Sequence, residues 1–308
     1  MAATAPLTDN VSAPWVVIGG DGLIGSRLAR CDEAAGPRVI PTTRRGAGRT
    51  AMQVDLATGD YDAVVEVRPA VVFLCAALTG MKACEDEPAL ARRINVTAPV
   101  DLATRLMREG AFVIFLSSNT VFDGNTPHPE EHSPLSPANA YGRQKAEAEQ
   151  ALRSIPGAER QLAVVRLSKV LVHDAGVPAQ FRRRLESGET CEAFDDLLTS
   201  PVSAPFVVTG LREIARRAAP GIFHLAGAAV LSYADFARDL ARRFGWDVAL
   251  VRPTSCVRAG ADTPFRPRHP ELGMSGTRRQ LGIDPEPLEH FWSCFCSDVH
   301  ASRAPEPR

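Results

Sequence analysis

Three residues carry the reactive chemistry of this sequence: Ser118, Tyr141 and Lys145. Tyr141 and Lys145 are four apart, so on a helix they share one face. An ammonium beside a phenol favours the phenolate. A phenol tuned in this way can pass a proton to a carbonyl oxygen near neutral pH, and the Ser118 hydroxyl can hold that oxygen by a hydrogen bond. Together they are equipment for reducing a ketone with hydride from a cofactor. Tyrosine occurs only three times, and lysine only at 82, 145 and 169, so abundance does not explain the pairing. The competing reading is a surface tyrosine and lysine on a solvated helix.

The elements that must position these groups follow from hydrophobic patterning. An apolar run, Ala111 to Leu116, leads into Ser117-Ser118 like a buried parallel strand. The hydroxyls thus stand at a strand's carboxyl end, where open α/β sheets bind ligands. A first strand, Trp15–Ile18, is followed by Gly19, Asp21, Gly22, Leu23, Ile24 and Gly25. The G-x-x-G-x-x-G spacing between strand and helix suits a tight turn, close approach of a pyrophosphate and its capture at a helix N-terminus. The next strand ends in Arg44-Arg45, where an NAD binder would be expected to place an acid for the ribose. Guanidinium suits a 2′-phosphate, so NADP(H) is expected over NAD(H), with unliganded turn arginines as the alternative. Met52–Leu56 reads as a third strand, with Asp55 and Leu56 at the adenine edge or Asp55 as a helix cap. A fourth strand runs from Val71 and ends in the small residues Cys75, Ala76 and Ala77, which let a cofactor lie close. A helical pattern to about Arg108 contains Asn95, expected either as a solvated or locally hydrogen-bonded residue or as a relay of protons through water to Lys145.

The helix carrying Tyr141 and Lys145 starts near Asn139, and Leu162–Leu167 is the next buried strand. This alternation predicts an α/β fold: a Rossmann-like doubly wound parallel sheet with a smaller C-terminal substrate-binding α/β region. The expected organisation is a flexible tail over 1–12, an NADP(H)-binding domain over 13–167 and a mainly substrate-binding region over 168–308. Some segments of that last region are expected to return to the sheet. Helices are expected near 178–187, 203–217, 232–244 and 286–298, with a returning strand at Ile222–Leu225.

Other features narrow the function. The net charge of −1 offers no electrostatic footprint for nucleic acid or an anionic membrane. No apolar run approaches the roughly 20 residues of a membrane span. Seven cysteines, an odd number, suggest free thiols in a reducing cytoplasm. His128-Pro129-Glu130-Glu131-His132 matches a zinc-peptidase pattern that needs a helix, but the surrounding prolines predict a loop. Cys294 and Cys296, with His290 and His300 nearby, fit no standard zinc spacing and read as buried or incidental, so no metal is expected. Arg266 and Arg268, in a Pro-rich loop, could clamp a diphosphate. Lys169, just past a strand end, is another candidate anion contact.

These residues together resemble the extended short-chain dehydrogenase/reductase family, and within it the dTDP-4-dehydrorhamnose reductase-like sugar nucleotide reductases. The resemblance covers nearly the whole chain. It rests on Gly19-Gly22-Gly25, Cys75-Ala76-Ala77, Cys84-Glu85, Asn95, Ser118, Val121 to Gly124, Glu131, Tyr141-Gly142-Lys145, Arg166 and Arg266-Pro267. It implies that Ser118, Tyr141 and Lys145 form a catalytic trio and that the C-terminal region closes over a sugar nucleotide. The implied reaction is NADPH-dependent reduction of a keto group on a 4-keto-6-deoxy sugar nucleotide or similar carbonyl compound. A non-catalytic NADP(H)-binding regulatory subunit, like that of methionine adenosyltransferase, and a sugar nucleotide epimerase are the alternatives. A homodimer is the default assembly. The chain departs from the family pattern at three places. It has Ser-Ser-Asn-Thr over 117–120 where Ser-Thr-Asp-Tyr is usual, Leu-Ser-Lys-Val-Leu over 167–171 for Thr-Ser-Trp-Val-Tyr, and Met81-Lys82 for Val-Asp. All three fall where substrate or an accessory ion is expected, Asn119 and Thr120 among them, and they point away from rhamnose while keeping the trio.

Overall fold

The computed structural model describes residues 13–30, 36–45, 51–261, 263 and 265–303. The expected N-terminal tail and Pro264 lie outside the described residues. Short runs of Val, Ile, Leu and Phe become strands because burial on both faces rewards unbroken apolar sequence. In chain order these are β1 (Trp15–Ile18), β2 (Val39–Thr43), β3 (Met52–Gln53), β4 (Val71–Leu74), β5 (Phe112–Ser118) and β6 (Leu162–Leu167). They continue as β7 (Lys169–Val170), β8 (Cys191–Phe194), β9 (Leu198–Thr199), β10 (Pro201–Val202), β11 (Gly221–Leu225), β12 (Leu231–Ser232) and β13 (Val251–Thr254).

Seven of these form one sheet in the order β11-β6-β5-β4-β1-β2-β3. The pairings of β1 with β2 and β4, and of β4 with β5, are parallel. Strand order reverses at β1, so the carboxyl ends of β1 and β4 flank the topological switch point where such sheets bind ligands. The sheet is the expected doubly wound one. Two strands are shorter than the sequence predicts. β3 stops at Gln53, and Asp55 beyond it turns the chain by accepting the Ala57 N–H at 2.9 Å. β4 stops at Leu74 because the Cys75 and Ala76 N–H groups both turn to the Ile18 carbonyl. The single helical pattern expected before Arg108 is broken: Met81–Asp86, then Pro88–Arg92 restarted by its proline, a π-turn over Arg93–Thr97 and Ala98–Arg108. No described helix is long and apolar enough to cross a membrane.

The chain divides into two compact units that interleave in sequence. The first comprises 1–117, 143–165 and 211–221; the second comprises 118–142, 166–210 and 222–308. In the second unit, the helix Tyr233–Phe244 starts at a Ser232 cap that accepts the Asp235 N–H at 3.0 Å. It ends at Gly245, whose φ of 69° suits a residue without a Cβ. Its apolar face packs through Phe236 on Trp292, stacked at 4.9 Å, with Phe291 and Phe295 alongside.

A buried polar network ties the loop after Phe122 into this unit. Glu131 accepts from the Gly276 and Thr277 N–H groups and from the Thr277 hydroxyl. Arg166 donates through Nη1 to the Glu131 carbonyl oxygen at 3.0 Å and stands 3.3 Å from His224 Nε2. His224 donates from Nδ1 to the Gly273 carbonyl, so it is neutral with Nε2 facing Arg166. Burial and the Arg166 charge lower its pKa to about 4. Burial opposes ionisation of Glu131, yet the Thr277 bonds hold its carboxyl below the ordinary value. Both shifts act on stability in one direction. The unfolded chain gains protons that the folded chain refuses as pH falls below about 6.5. Folding free energy from urea denaturation should therefore decline between pH 6.5 and 4, by about 3 kcal/mol from His224 alone. His224→Gln should flatten that part of the slope; an unchanged slope would remove His224 from the account.

Candidate active site

The first cluster lies where β1 and β4 end. Gly19 has φ +87°, and an added Cβ would stand 2.8 Å from that of Ala76. At Gly25 it would meet the Gly19 carbonyl oxygen at 2.1 Å. Glycine is thus required for the turn and for the helix Gly25–Ala29 to pack against it. Beside the turn is a cavity of about 370 Å³ lined by Gly19, Asp21, Arg44, Asp55, Leu56, Ala76 and Ala77, together with Val54, Ala57, Leu78, Leu90 and Ile94. It brings together seven of the residues singled out for a cofactor. Gly22, Leu23, Ile24, Gly25, Arg45 and Cys75 do not line it. Cys75 is desolvated, which pushes its thiol up to about 12 and keeps it protonated.

The end of β2 offers the donors for an extra phosphate. Arg44 and Arg45 are exposed, and the buried Thr43 Oγ1 lacks a hydrogen-bond partner. A hydroxyl without a partner, followed in sequence by two exposed arginines of which Arg44 lines the cavity, fits a 2′-phosphorylated dinucleotide.

The second cluster is built on β5 and the helix Ala140–Arg153, which carries Tyr141 and Lys145 one turn apart. Asn139 caps that helix, its Oδ1 accepting the Gly142 N–H at 2.8 Å. Gly142 has no room for a side chain, since a Cβ would lie 2.1 Å from the Thr120 carbonyl oxygen. The helix start therefore packs directly on the turn that follows Ser118. Tyr141 is buried.

Lys145 is buried, with Nζ donating to the Leu116 carbonyl at 2.8 Å and lying 4.4 Å from the Phe115 ring centre. Desolvation lowers its pKa to about 8, while the Glu149 carboxylate holds it up against that effect. Glu149 is itself buried and accepts from the Ser117 hydroxyl at 2.5 Å. Sequence reasoning missed Glu149; the legible signal was an acid one further turn along the Tyr141-Lys145 face. Asn95, in the π-turn, donates to Gln144 Oε1 at 2.7 Å and to the Leu78 carbonyl, and accepts the Leu78 N–H. Its amide is bonded to protein on both sides, and Gln144 is a neighbour that the sequence reading did not name.

Ser118 ends β5 and caps the short turn Asn119–Val121, accepting from the Thr120 N–H at 3.2 Å and the Thr120 hydroxyl at 3.1 Å. Asn119 donates to the Pro270 carbonyl at 2.9 Å. The loop bearing Arg266 and Arg268 is thereby drawn to the Ser118 turn, and both arginines are exposed there. Pro267 fixes the loop against Gly124, where a Cβ would be 2.3 Å from the proline's own. Lys169 is exposed at the start of β7. The stretch from His128 to His132 is not helical, and Glu130 and Glu131 bind Ser275 and Thr277.

Comparison with known proteins places this geometry. The chain is 32% identical to dTDP-4-dehydrorhamnose reductase of Streptomyces griseus, over 90% of each chain. It is 30% identical to methionine adenosyltransferase 2 subunit beta of Xenopus laevis, over 71% of this chain and 67% of that one. Its fold matches dTDP-4-dehydrorhamnose reductase from Bacillus anthracis, solved in complex with NADP, with a TM-score of 0.80 at 21% identity, covering 93% and 98% of the two chains. Residues 15–295 match the family described as RmlD substrate binding domain, and with that match spanning both clusters, the chain belongs to this family.

Proposed function

We propose that the protein reduces a keto group on a nucleotide-activated 4-keto-6-deoxy sugar, using NADPH. The observation that carries the reading is the buried Lys145, fixed to the Leu116 carbonyl one helical turn from the buried Tyr141. A surface tyrosine and lysine would not be buried in this way. Membership of the RmlD family, and the reductase and NADP in the names of its relatives, support the same reading.

When bound, reduced nicotinamide supplies hydride to the carbonyl carbon. Tyr141 donates its phenolic proton to the carbonyl oxygen, and the Lys145 ammonium stabilises the phenolate left behind. Lys145 would also hold the ribose of a bound cofactor. The Ser118 hydroxyl orients the oxygen, and Arg266, Arg268 and Lys169 contact the nucleotide's phosphates. Asn119 and Thr120 line the sugar side; neither is an acid, so the extra proton transfers of a dehydratase have no carrier there. Arg44 and Arg45, in place of an acid, favour NADPH over the tightly held NAD of an epimerase. A second reading, regulatory cofactor binding without turnover, is favoured by the likeness to the methionine adenosyltransferase beta subunit.

Three outcomes test the proposal. Oxidation of NADPH at 340 nm, measured with a panel of nucleotide-linked 4-keto-6-deoxy sugars, should appear in the wild type. It should fall by at least about a hundredfold in Tyr141→Phe, while NADPH binding is retained. Binding without turnover on any sugar would instead favour the regulatory reading. Replacing Arg44 and Arg45 together by alanine should raise KM for NADPH by about tenfold to a hundredfold, with little change for NADH. Equal losses with both cofactors would reject a 2′-phosphate role. Finally, kcat should fall as pH rises through about 8, as Lys145 loses its proton. Removing the carboxylate that supports that proton, in Glu149→Gln, should move the alkaline limb to lower pH. A limb that stays put, or moves upward, would separate Lys145 from the pH dependence.

A further inference from the structure

We propose that Glu286, His290 and Cys294 form a binding site for one divalent cation of the zinc class. A carboxylate oxygen, an imidazole nitrogen and a thiolate would hold it, with solvent as fourth ligand. His290 and Cys294 are four apart and share one face in the first turns of the helix Leu288–Arg303, and Glu286 stands just before that helix. Their donor atoms all lie within 4.8 Å of one another. His290 Nδ1 is 2.6 Å from Glu286 Oε1, and Cys294 Sγ is 3.9 Å from either ring nitrogen. Ligand atoms around tetrahedral zinc stand roughly 3.3–3.6 Å apart, from bond lengths of about 2.0–2.3 Å. The two separations lie on either side of that range, so His290 would have to shift from Glu286 toward Cys294 to take an ion. The His290 side chain is 53% exposed and has room for it.

The carboxylate end of the site is already fixed. Glu286 is buried, and its backbone N–H and carbonyl are bonded to Ala226 and Ala228. Its side chain accepts from the Ser203 N–H at 2.6 Å and the Ser203 hydroxyl at 2.5 Å. Such outer bonds orient a metal ligand and hold it for binding. Oxygen, nitrogen and sulfur in one set favour a borderline cation over magnesium or calcium. Binding through the thiolate would release the Cys294 proton to solvent. The neighbouring candidates are otherwise engaged: Cys296 packs against the aromatic core, and His300 lies 5.8 Å from the Phe244 ring centre. None of the three ligands takes part in the proposed reduction.

The test uses the full chain stripped with chelator, and cobalt(II) and zinc(II) as the only probes. One equivalent of cobalt should produce a thiolate-to-cobalt charge-transfer band that zinc then abolishes, and zinc should raise the thermal midpoint. Cys294→Ser should remove the band, His290→Gln should weaken cobalt binding by at least tenfold, and Cys296→Ser should leave it unchanged. Since His290 is half-exposed, its variant is expected to fold, and circular dichroism checks this. No band at one equivalent, or a band that survives Cys294→Ser, overturns the site. A band lost in Cys296→Ser overturns the assignment to Cys294.

Discussion

The placement of one buried ammonium sets the terms for the strand and helix that surround it. Removing a lysine charge from water costs on the order of several kcal/mol unless partners replace the solvent. Lys145 finds three partners on or near a single strand end: the Leu116 carbonyl, the Phe115 ring and the Glu149 carboxylate, itself held by Ser117. Residues 115 to 117 thus all support the lysine, and Ser118 follows immediately. The strand that presents the hydroxyl also stabilises the charge. Any slip of the helix Ala140–Arg153 along β5 would leave the ammonium buried without its acceptor. The Asn139 cap and the close contact at Gly142 oppose that slip.

A second buried charge group follows different logic. Glu131, Arg166, His224 and Thr277 join parts of the chain that are distant in sequence. Here the acid is kept ionised by hydrogen bonds and the imidazole is kept neutral by burial and the guanidinium. Such a network contributes more to specifying one arrangement of loops than to net stability, because desolvation offsets much of its attraction. Lys145 instead keeps a pKa of about 8, which suits the role proposed for it. Burial alone therefore does not identify function: it lowers His224 and Lys145 alike, and what separates the two is where each ends, about 4 against about 8.

Much of this was legible in the chain. Glycine spacing after Trp15–Ile18, the apolar run into Ser118 and the Tyr141–Lys145 interval each depend on local sequence, and local sequence encodes turns, strands and helical faces. The sheet and its family follow from them. What escaped the sequence reading depends on a local side-chain turn, on competition for one acceptor, or on residues brought together across long separations. Asp55 folding onto Ala57 shortened β3, and two amides sharing the Ile18 carbonyl ended β4. Gln144 meets Asn95 across 49 positions, and Ser203 meets Glu286 across 83. No periodicity announces such pairs. Glu149 is different: it lay in plain view, eight residues after Tyr141, but only the fold reveals that its carboxylate supports the lysine.

The departure at Asn119 has a physical reason that bears on the substrate. Its side-chain amide donates to the Pro270 carbonyl, a bond that an aspartate could not make, because carboxylate and carbonyl oxygens both accept. Where the reductase pattern has Ser-Thr-Asp-Tyr, this chain replaces a charge by a donor and uses that donor to hold the loop bearing Arg266 and Arg268. The next residue, Thr120, bonds back to the Ser118 hydroxyl where the pattern has a large phenol. The surface beside Ser118 is consequently smaller, less charged and tied to the arginine loop. Under the proposed function, a sugar fitted to it would make fewer charged hydrogen bonds at this turn, and Arg266 and Arg268, in their proposed contact with phosphate, would supply a larger share of its binding. Selection among sugars would then depend, under that proposal, on how the anchored loop sets the distance from phosphate to carbonyl.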